Sequence, residues 1–470
     1  MHATFLLQIF QAIPPAEQPA MRKFLQSPFF NSRADVLVLF DLLVREQRRA
    51  ALTTWPKEEV FAQIFPGQAY HNLTLNHLFA YLTERLEQYL ALVEMQRDGL
   101  AERLYRVRAF RRRGLTQLFE RDTQLLEKEH TASPHRHAGW HLFHYQLQNE
   151  IFSQRIIQRR DGATNLQGTV DALGQFFLLE NLRWACTAHA LRSLGSPTDY
   201  RLPLIETAKE AAALATADQP ALALLGYSLR ALQNPDDVAA FREATALLTK
   251  YPDLFPPAES RDLYMAAINF CIRRQNRGER DYAQTALNLY RAALARGILL
   301  ENGVLPKYTY NNIHLLAQVT GERDWAYTFL EQYRNYLPLA DRDNIFRYNL
   351  AIFHYRAGEH SRVLELLRTV EFSEVFINLD VRRMLLKGYY ELGEWPVLAS
   401  LLDSFKAYLR RRKDLGYHRE SYLNLVKFTQ KVMRVADKRV AARRQLATKI
   451  QAVKAVAERE WLLEKLGIGS

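Results

Sequence analysis

Histidine is the residue with metal-binding chemistry that this chain concentrates in one place. Five of its 13 histidines fall within a single short stretch, namely His130, His135, His137, His141 and His144. The last three share one face of a helix, and a His pair at i, i+4 can ligate zinc. However, no Glu stands where a zinc hydrolase would hold its general base, and neither cysteine is near. We therefore interpret the stretch as the start of an aromatic amphipathic helix and predict no metal and no other cofactor. Zinc binding stays the alternative.

Sequence motifs for catalysis are missing elsewhere in the chain. There is no Gly-x-Ser-x-Gly elbow and no protein-kinase signature. Gly162 and Gly168 flank a short loop, but it lacks the Lys of a phosphate-binding loop and follows no predicted strand. We predict no catalytic residues and a non-enzymatic protein. An enzyme that draws its residues from widely separated elements is not excluded by sequence.

Positive charge is the other feature with chemical consequences. The chain carries a net charge of +12, and the segment from Phe405 to Ser470 alone holds 17 Lys or Arg against 6 Asp or Glu. Further basic clusters are Arg106–Arg113, Arg155–Arg160 and Arg410–Lys413. Clustered cations favour contacts with the phosphates of nucleic acid, and on an amphipathic helix they also suit an anionic membrane surface.

The basic run Lys431–Arg459 overlaps an apolar stripe with helical spacing, formed by Leu446, Ile450, Val453, Ala457 and Trp461. Such a stripe predicts a helix that caps a stack of helices, because the last repeat must cover its apolar side and present a polar face. Capping is the interpretation we adopt. Nucleic-acid binding is the alternative, through the residues that lie off the stripe, namely Arg443, Arg444, Lys449 and Lys454.

The elements that must position these residues are helices. Apolar residues recur with helical spacing, Pro and Gly punctuate these runs, and no series of alternating strands is present. We predict an all-α chain with four regions: an N-terminal helical domain over 1–130, degenerate helical hairpins over 131–258, repeats over 259–405, and basic C-terminal helices that form a cap over 406–470. Within the first region we expect two long helices, 73–96 and 98–129.

A repeated pattern of turns identifies the third region. Four glycines, Gly278, Gly321, Gly358 and Gly393, are separated by 43, 37 and 35 residues. The positions five residues after them hold Ala283, Ala326, Val363 and Leu398, and the positions nine residues after them all hold Leu. A helix–turn–helix unit that recurs near this period is typical of stacked helical repeats. We predict four antiparallel helix pairs with their turns at these glycines.

These residues resemble tetratricopeptide (TPR) repeats. The Gly321 unit matches best, with Tyr310 at the position of the consensus Trp, Ala326 at the Ala and Pro338 at the terminal Pro. The sequence departs from the consensus where Val363 and Leu398 replace Ala and where the first two intervals are longer. The resemblance covers Ser260–Phe405. The whole chain is also similar to bacterial helical-repeat proteins to which no function is assigned.

The TPR resemblance implies a stack of helix pairs, an α-solenoid, whose first helices line a concave surface that binds a peptide. Aromatic rings beside amide and basic side chains suit such recognition. The residues implied for this surface are Tyr308, Asn311, Gln318, Tyr348, Tyr355, Arg383, Lys387 and Tyr390. We therefore expect a protein-interaction scaffold whose partner is a peptide or protein.

The expected compartment is the cytoplasm. No apolar run reaches the roughly 18 residues that a membrane span needs. Met1–Phe10 lacks the basic start of a secretory signal, and we expect it to be a first helix. The two cysteines, Cys186 and Cys271, lie in apolar helical runs and are expected to be free, buried thiols.

Overall fold

The computed structural model describes residues 2–48, 56–158, 164–193, 195–368, 374–412, 415–435 and 440–467. Within these ranges the regular structure is helical, as the sequence predicts, with 23 α-helices and one 3-10 turn, Arg334–Tyr336. The only β-type pairing among the described residues is an isolated bridge between Glu301 and Val304. None of the described helices is both long enough and apolar enough to cross a membrane.

The chain is divided into two compact units. Unit 1 comprises Met1–Pro134 and Ala138–Phe177, and unit 2 comprises His135–His137 and Leu178–Ser470. The helices that begin in unit 1 are α1 (His2–Ala12), α2 (Gln18–Gln26), α3 (Ala34–Arg48), α4 (Lys57–Ile64), α5 (Asn72–Arg97), α6 (Gly99–Arg112), α7 (Thr116–Ala132), α8 (Ala138–Gln158) and α9 (Leu166–Ser193). The boundary between the units falls inside α9.

Unit 1 contains two hydrophobic cores. The larger joins α1 to α5, with the rings of Phe10 and Phe40 packed edge to face at 5.7 Å between centroids. The smaller joins α6, α7 and α8 around Val107, Leu126 and Leu147. Spacing of three and four residues places these apolar side chains on one face of each helix, which is why the helices pack together.

The prediction of a single helix over 98–129 is wrong, since the structure ends α6 at Arg112 and starts α7 at Thr116. Gly114 between them has φ +69°, a left-handed conformation that glycine adopts without a steric penalty. The amide of Leu115 bonds the carbonyl of Phe110, which completes the hydrogen-bonding pattern of a glycine-terminated helix.

Unit 2 continues from the end of α9 through fourteen further helices among the described residues. These are α10 (Ile205–Ala213), α11 (Pro220–Gln233), α12 (Val238–Lys250), α13 (Pro257–Asn276), α14 (Asp281–Ala295), α15 (Lys307–Val319), α16 (Arg323–Tyr333), α17 (Arg342–Arg356), α18 (His360–Leu367), α19 (Val375–Glu391), α20 (Trp395–Arg411), α21 (Gly416–Val435), α22 (Val440–Ala452) and α23 (Arg459–Glu464).

The four glycine turns predicted between 259 and 405 are confirmed. Gly278, Gly321, Gly358 and Gly393 separate α13 from α14, α15 from α16, α17 from α18, and α19 from α20, each with φ between +69° and +96°. At each turn the amide of the residue after the glycine, a glutamate in all four cases, bonds the carbonyl five residues earlier. The two helices that each glycine joins pack against one another.

The predicted packing register is also confirmed. The residues five and nine positions after these glycines are all buried, with Ala326, Val363 and Leu398 showing no exposed surface. Two of the turn glutamates link one pair to the preceding pair: Glu322 accepts hydrogen bonds from Gln284 and Arg291 on α14, and Glu359 accepts one from Arg323 on α16.

The prediction of a C-terminal capping helix that carries the whole apolar stripe is only partly correct. Leu446, Ile450 and Trp461 are buried, but α22 ends at Ala452 and residues 453–458 are not helical. The carbonyl of Lys454 accepts from the guanidinium of Arg459, and the carbonyl of Ala455 accepts from Asn424 on α21. These side chains take the backbone acceptors that a helix would use, which is why the stripe is interrupted.

Candidate functional site

The eight residues implied for a partner surface lie on α15, α17 and α19 in unit 2. Tyr308 is the most open of them, with 59% of its surface exposed and the ammonium of Lys307 5.3 Å from its ring centroid. Asn311 accepts a hydrogen bond from the buried Asn349 on α17 (2.6 Å). Gln318 donates to Nε2 of His314 on its own helix (2.8 Å). Asn311 thus connects two first helices, whereas Tyr308 points its ring toward solvent.

His314 is the buried anchor of the Gln318 contact. It has no exposed surface, and burial lowers the pKa of its imidazole to about 4. The ring is therefore neutral at physiological pH, which lets Nε2 accept the hydrogen bond from Gln318.

A charged cluster links α17, α19 and the segment before α23. The hydroxyl of Tyr348 donates to Asp380 (2.9 Å), and Arg383 donates to the same carboxylate from Nε (2.9 Å) and Nη2 (2.6 Å). Nη1 of Arg383 donates to Glu458 (2.6 Å), and Nζ of Lys387 donates to the other oxygen of Glu458 (2.7 Å). We call these five residues the Glu458 cluster.

The ring of Tyr355 packs against the two cations of the Glu458 cluster. The guanidinium of Arg383 and the ammonium of Lys387 lie 5.1 Å and 5.2 Å from its ring centroid, close enough for cation–π attraction. Its hydroxyl also accepts from Nη1 of Arg383 at 3.3 Å. The same two cations thus serve an aromatic face and a carboxylate.

The electrostatics of the Glu458 cluster favour the ionised forms. Burial alone would raise the pKa of Glu458, but the hydrogen bond from Lys387 and the charges of Arg383 and Lys387 outweigh it and hold that pKa below its usual value. Burial would lower the pKa of Lys387, and the hydrogen bond to Glu458 reverses the shift and raises it. At neutral pH Glu458, Arg383 and Lys387 are therefore charged.

Glu458 sits where the backbone is strained. Its φ is +53°, the left-handed region that non-glycine residues seldom occupy. It immediately precedes α23, whose Trp461 packs edge to face on Tyr390 at 5.1 Å and donates from Nε1 to Glu391 (2.7 Å). The C-terminal segment therefore covers the α19 part of the implied partner surface.

Two of the implied surface residues lie in the core. Tyr348 is 8% exposed and Tyr390 is 9% exposed, because Asp380 and the ring of Trp461 cover their outer sides. Arg383 and Lys387 are half-buried in contact with Glu458, and Tyr355 is half-buried beneath these two cations. Asp380 and Glu458 were not predicted from the sequence, although Glu458 lies at the end of a strongly basic run, where an acidic residue has cations nearby to pair with.

The four basic residues considered for nucleic-acid binding are mostly exposed to solvent. Arg444, Lys449 and Lys454 are exposed, and none of them forms an ion pair within the part of the chain that the structure describes. Arg443 is half-buried on α22, and its Nε is buried without a hydrogen-bond partner among those same residues. Three of the four cations are thus presented to solvent.

The histidine stretch forms aromatic packing. In unit 1 the ring of His130 stacks on Trp140 (4.1 Å between centroids) and on His144 (5.5 Å). In unit 2 burial lowers the pKa of His137 to about 4. Among the described residues, no group of three or more His, Cys, Asp or Glu side chains is placed to hold a metal ion.

Comparison with protein-family models, curated proteins and solved structures found no match to this chain. Its function is therefore argued from its own geometry.

Proposed function

We propose that unit 2 is a TPR-like stack of helix pairs and that the protein is a non-enzymatic scaffold. Its first helices, α13, α15, α17 and α19, bind a peptide or protein partner. The observation that carries the proposal is the repetition of one turn, with a left-handed glycine, a glutamate after it and buried residues five and nine positions later, four times in succession.

Packing between first helices supports a shared surface. α15 packs against α17 although α16 lies between them in sequence, and α13 likewise packs against α11, which precedes the four repeated pairs. The hydrogen bond between Asn311 and Asn349 joins α15 to α17. The hydrogen bond between Tyr348 and Asp380 joins α17 to α19. Polar groups that cross-link neighbouring first helices fix the spacing of the side chains that a partner meets.

The open end of this surface is the part around Tyr308, since the C-terminal segment covers the α19 end. An exposed tyrosine offers a large, rigid contact area at small entropic cost, which is why tyrosine is enriched in binding surfaces. Asn311 and Gln318 lie one and three helical turns further along α15 and supply amide groups for a partner's backbone.

The test uses a photocrosslinking amino acid in place of Tyr308 in the host cell, followed by mass spectrometry of crosslinked proteins. The purified partner is then titrated against wild type and Tyr308→Ala. We expect Tyr308→Ala to weaken binding about tenfold or more, as for a central aromatic contact.

Tyr105→Ala is the matched control. Tyr105 on α6 is also 59% exposed and also has a cation near its ring, Arg108 at 5.4 Å, but it lies in unit 1. Equal weakening by both variants, or no protein crosslinked at position 308 beyond those at 105, would show that α15 is not a partner surface.

Nucleic-acid binding is the second candidate, favoured by the solvent-exposed Arg444, Lys449 and Lys454. If these cations neutralise phosphates, the logarithm of affinity for random duplex should fall linearly with the logarithm of salt concentration, by about 0.9 per phosphate contacted. Replacing Arg443, Arg444, Lys449 and Lys454 by Gln should reduce that slope.

The control variant removes four exposed cations from other helices or turns of unit 2, namely Arg242, Lys250, Arg280 and Arg356, also by Gln. It changes the net charge by the same amount. If the two variants show equal salt slopes, the effect comes from the total charge of the protein and not from these four residues. Weak binding of duplex by wild type at physiological salt would rule out nucleic-acid binding.

A further inference from the structure

A cavity of about 250 Å³ lies between α9, α11 and α13 in unit 2, and none of the eight residues implied for the partner surface lines it. Its walls are mostly apolar and include Leu191, Leu225, Leu232, Leu263 and Met265. An engineered apolar cavity of about 150 Å³ holds benzene, so a space of this size suits an organic molecule of about ten non-hydrogen atoms.

Arg273 lines this cavity and is inadequately paired. Its Nε and Nη2 are buried and have no hydrogen-bond partner among the described residues. The arginines beside it have carboxylate partners, which Arg273 lacks among the described residues: Arg274 pairs with Asp236 and Glu279, and Arg277 pairs with Asp236. Buried guanidinium nitrogens without acceptors are costly, and burial lowers the pKa of Arg273 accordingly.

The opposite end of the cavity carries carboxylates and one cation, Arg183, which lies close enough to Glu259 and Asp262 to offset part of the rise that burial causes in the pKa of each. Arg183 is already paired with Glu180, so this end stays acidic overall. Glu259 and Asp262 also line it, and they precede Arg273 on α13 by 14 and 11 residues. At 1.5 Å per residue the Cα atoms of Glu259 and Arg273 are about 21 Å apart along the helix. Burial raises the pKa of Glu259, because its carboxylate is poorly solvated there. A second negative charge on a ligand would meet these carboxylates.

The cavity offers no reactive nucleophile among its described lining residues. The thiol of Cys186 lines it, but burial raises the pKa of that thiol to about 12, so it stays protonated at neutral pH. A ligand in this cavity would therefore be held without a covalent bond.

We propose that the cavity binds a small apolar monocarboxylate. The carboxylate accepts hydrogen bonds from the guanidinium of Arg273, and the hydrocarbon body packs against the leucines and Met265. Glu259 and Asp262 disfavour a dicarboxylate. The charge-assisted contact to Arg273 supplies selectivity over a neutral molecule of the same shape, because the Nε and Nη2 atoms that form it are buried and lack another acceptor among the described residues.

The experiment is calorimetric titration of the full chain with octanoate, octanedioate and 1-octanol. We expect octanoate to bind, and octanedioate and 1-octanol to bind at least about tenfold more weakly. Arg273→Gln should weaken octanoate binding at least about tenfold. Arg277→Gln, one turn away and outside the cavity lining, should leave it unchanged.

Thermal melts distinguish a loss of octanoate binding from a folding defect in the Arg273 variant. Octanoate should raise the Tm of wild type and of Arg277→Gln but not of Arg273→Gln, whose own Tm should equal or exceed that of wild type, since an unpaired buried charge is removed. Equal binding of octanoate and 1-octanol, unchanged binding by Arg273→Gln, or no binding by wild type would each overturn the proposal.

Discussion

Ala326 shows how one small side chain sets the packing of a helix pair. It has no exposed surface and lies on α16, five residues after the turn glycine. Ala326→Arg should lower the free energy of unfolding by about 3 kcal/mol or more, since it both overpacks the contact and buries an unpaired charge. Chemical denaturation followed by circular dichroism measures this.

Thr328→Arg provides the comparison for Ala326→Arg. Thr328 is exposed two residues further along the same helix, so its replacement should change stability by less than about 0.5 kcal/mol. Coincident unfolding curves for the Ala326 variant and wild type would contradict the buried position of this residue.

The lowered pKa of Glu458 predicts that the stability of the protein depends on pH. Its pKa in the folded protein lies below the reference value of 4.5, so its ionisation stabilises the fold above about pH 4.5. This contribution is lost as pH falls through the lowered folded pKa. Glu458→Gln should cost about 1–3 kcal/mol at pH 7, because Arg383 and Lys387 lose their shared acceptor.

The stability difference between wild type and Glu458→Gln should be constant above about pH 5 and shrink as pH is lowered further. Urea unfolding at several pH values measures it. Glu464→Gln serves as control, since the side chain of Glu464 on α23 is 66% exposed and its replacement should have little effect. A difference that grows toward acid pH would reverse the sign assigned to Glu458.

At the scale of the helix, replacement by Ala is predicted to have opposite effects on stability at two helical glycines. A Cβ at Gly226 on α11 would lie 2.6 Å from the Cβ of Ala212 on α10, and a Cβ at Gly174 on α9 would meet nothing within 4 Å. Gly226→Ala should destabilise by about 1–3 kcal/mol through overpacking, whereas Gly174→Ala should stabilise by about 0.5–1 kcal/mol through helix propensity.

Thermal unfolding of the two single variants tests this pair. A rise in Tm for both would mean that α10 and α11 separate easily enough to admit a methyl group. The substitution is the same in each case, so the comparison isolates the contact between the helices.

Helix boundaries also show what sequence could and could not predict. The turns at Gly321 and Gly358 were predictable because a glycine and two buried positions recur together around each. The break at Gly114 was missed, since the apolar spacing continues across it from Phe110 to Phe119. The end of α22 was missed for a related reason: Arg459 and Asn424 take its next carbonyls, and periodicity carries no information about such contacts.

At the scale of the whole molecule, the charged contacts of the candidate site were the least predictable part. Glu458 lies 75 residues from Arg383 and 71 residues from Lys387. A pattern within one helix predicts which side it buries, but it does not show which distant residue meets that side. For this reason, residues expected on an open partner surface are partly covered by the chain's own C-terminal segment.

The C-terminal helices close the core of unit 2. Trp461, Leu462 and Leu466 share a hydrophobic core with Leu402 and Phe405 of α20. Trp461→Ala should lower the free energy of unfolding by about 3–5 kcal/mol, since a buried ring and its hydrogen bond to Glu391 are both lost. Denaturant unfolding followed by circular dichroism measures the change.

Trp395→Ala is the comparison for Trp461→Ala, because the ring of Trp395 is 46% exposed and its loss should cost less. Equal losses would show that α23 does not close this core. Deleting residues 440–467 should likewise destabilise α19 and α20, so point variants are the appropriate probes of the basic C-terminus.

The two native thiols, one buried (Cys271) and one half-buried (Cys186), make the protein suitable for site-specific labelling. Cys186 and Cys271 are its only cysteines, and burial raises the pKa of each to about 12. At pH 7 both thiols are then almost entirely protonated, and the thiolate is the form that reacts with maleimides. A cysteine introduced at an exposed position such as Thr328 or Tyr105 would react far faster, so a single fluorophore or spin label can be placed without first removing the native cysteines.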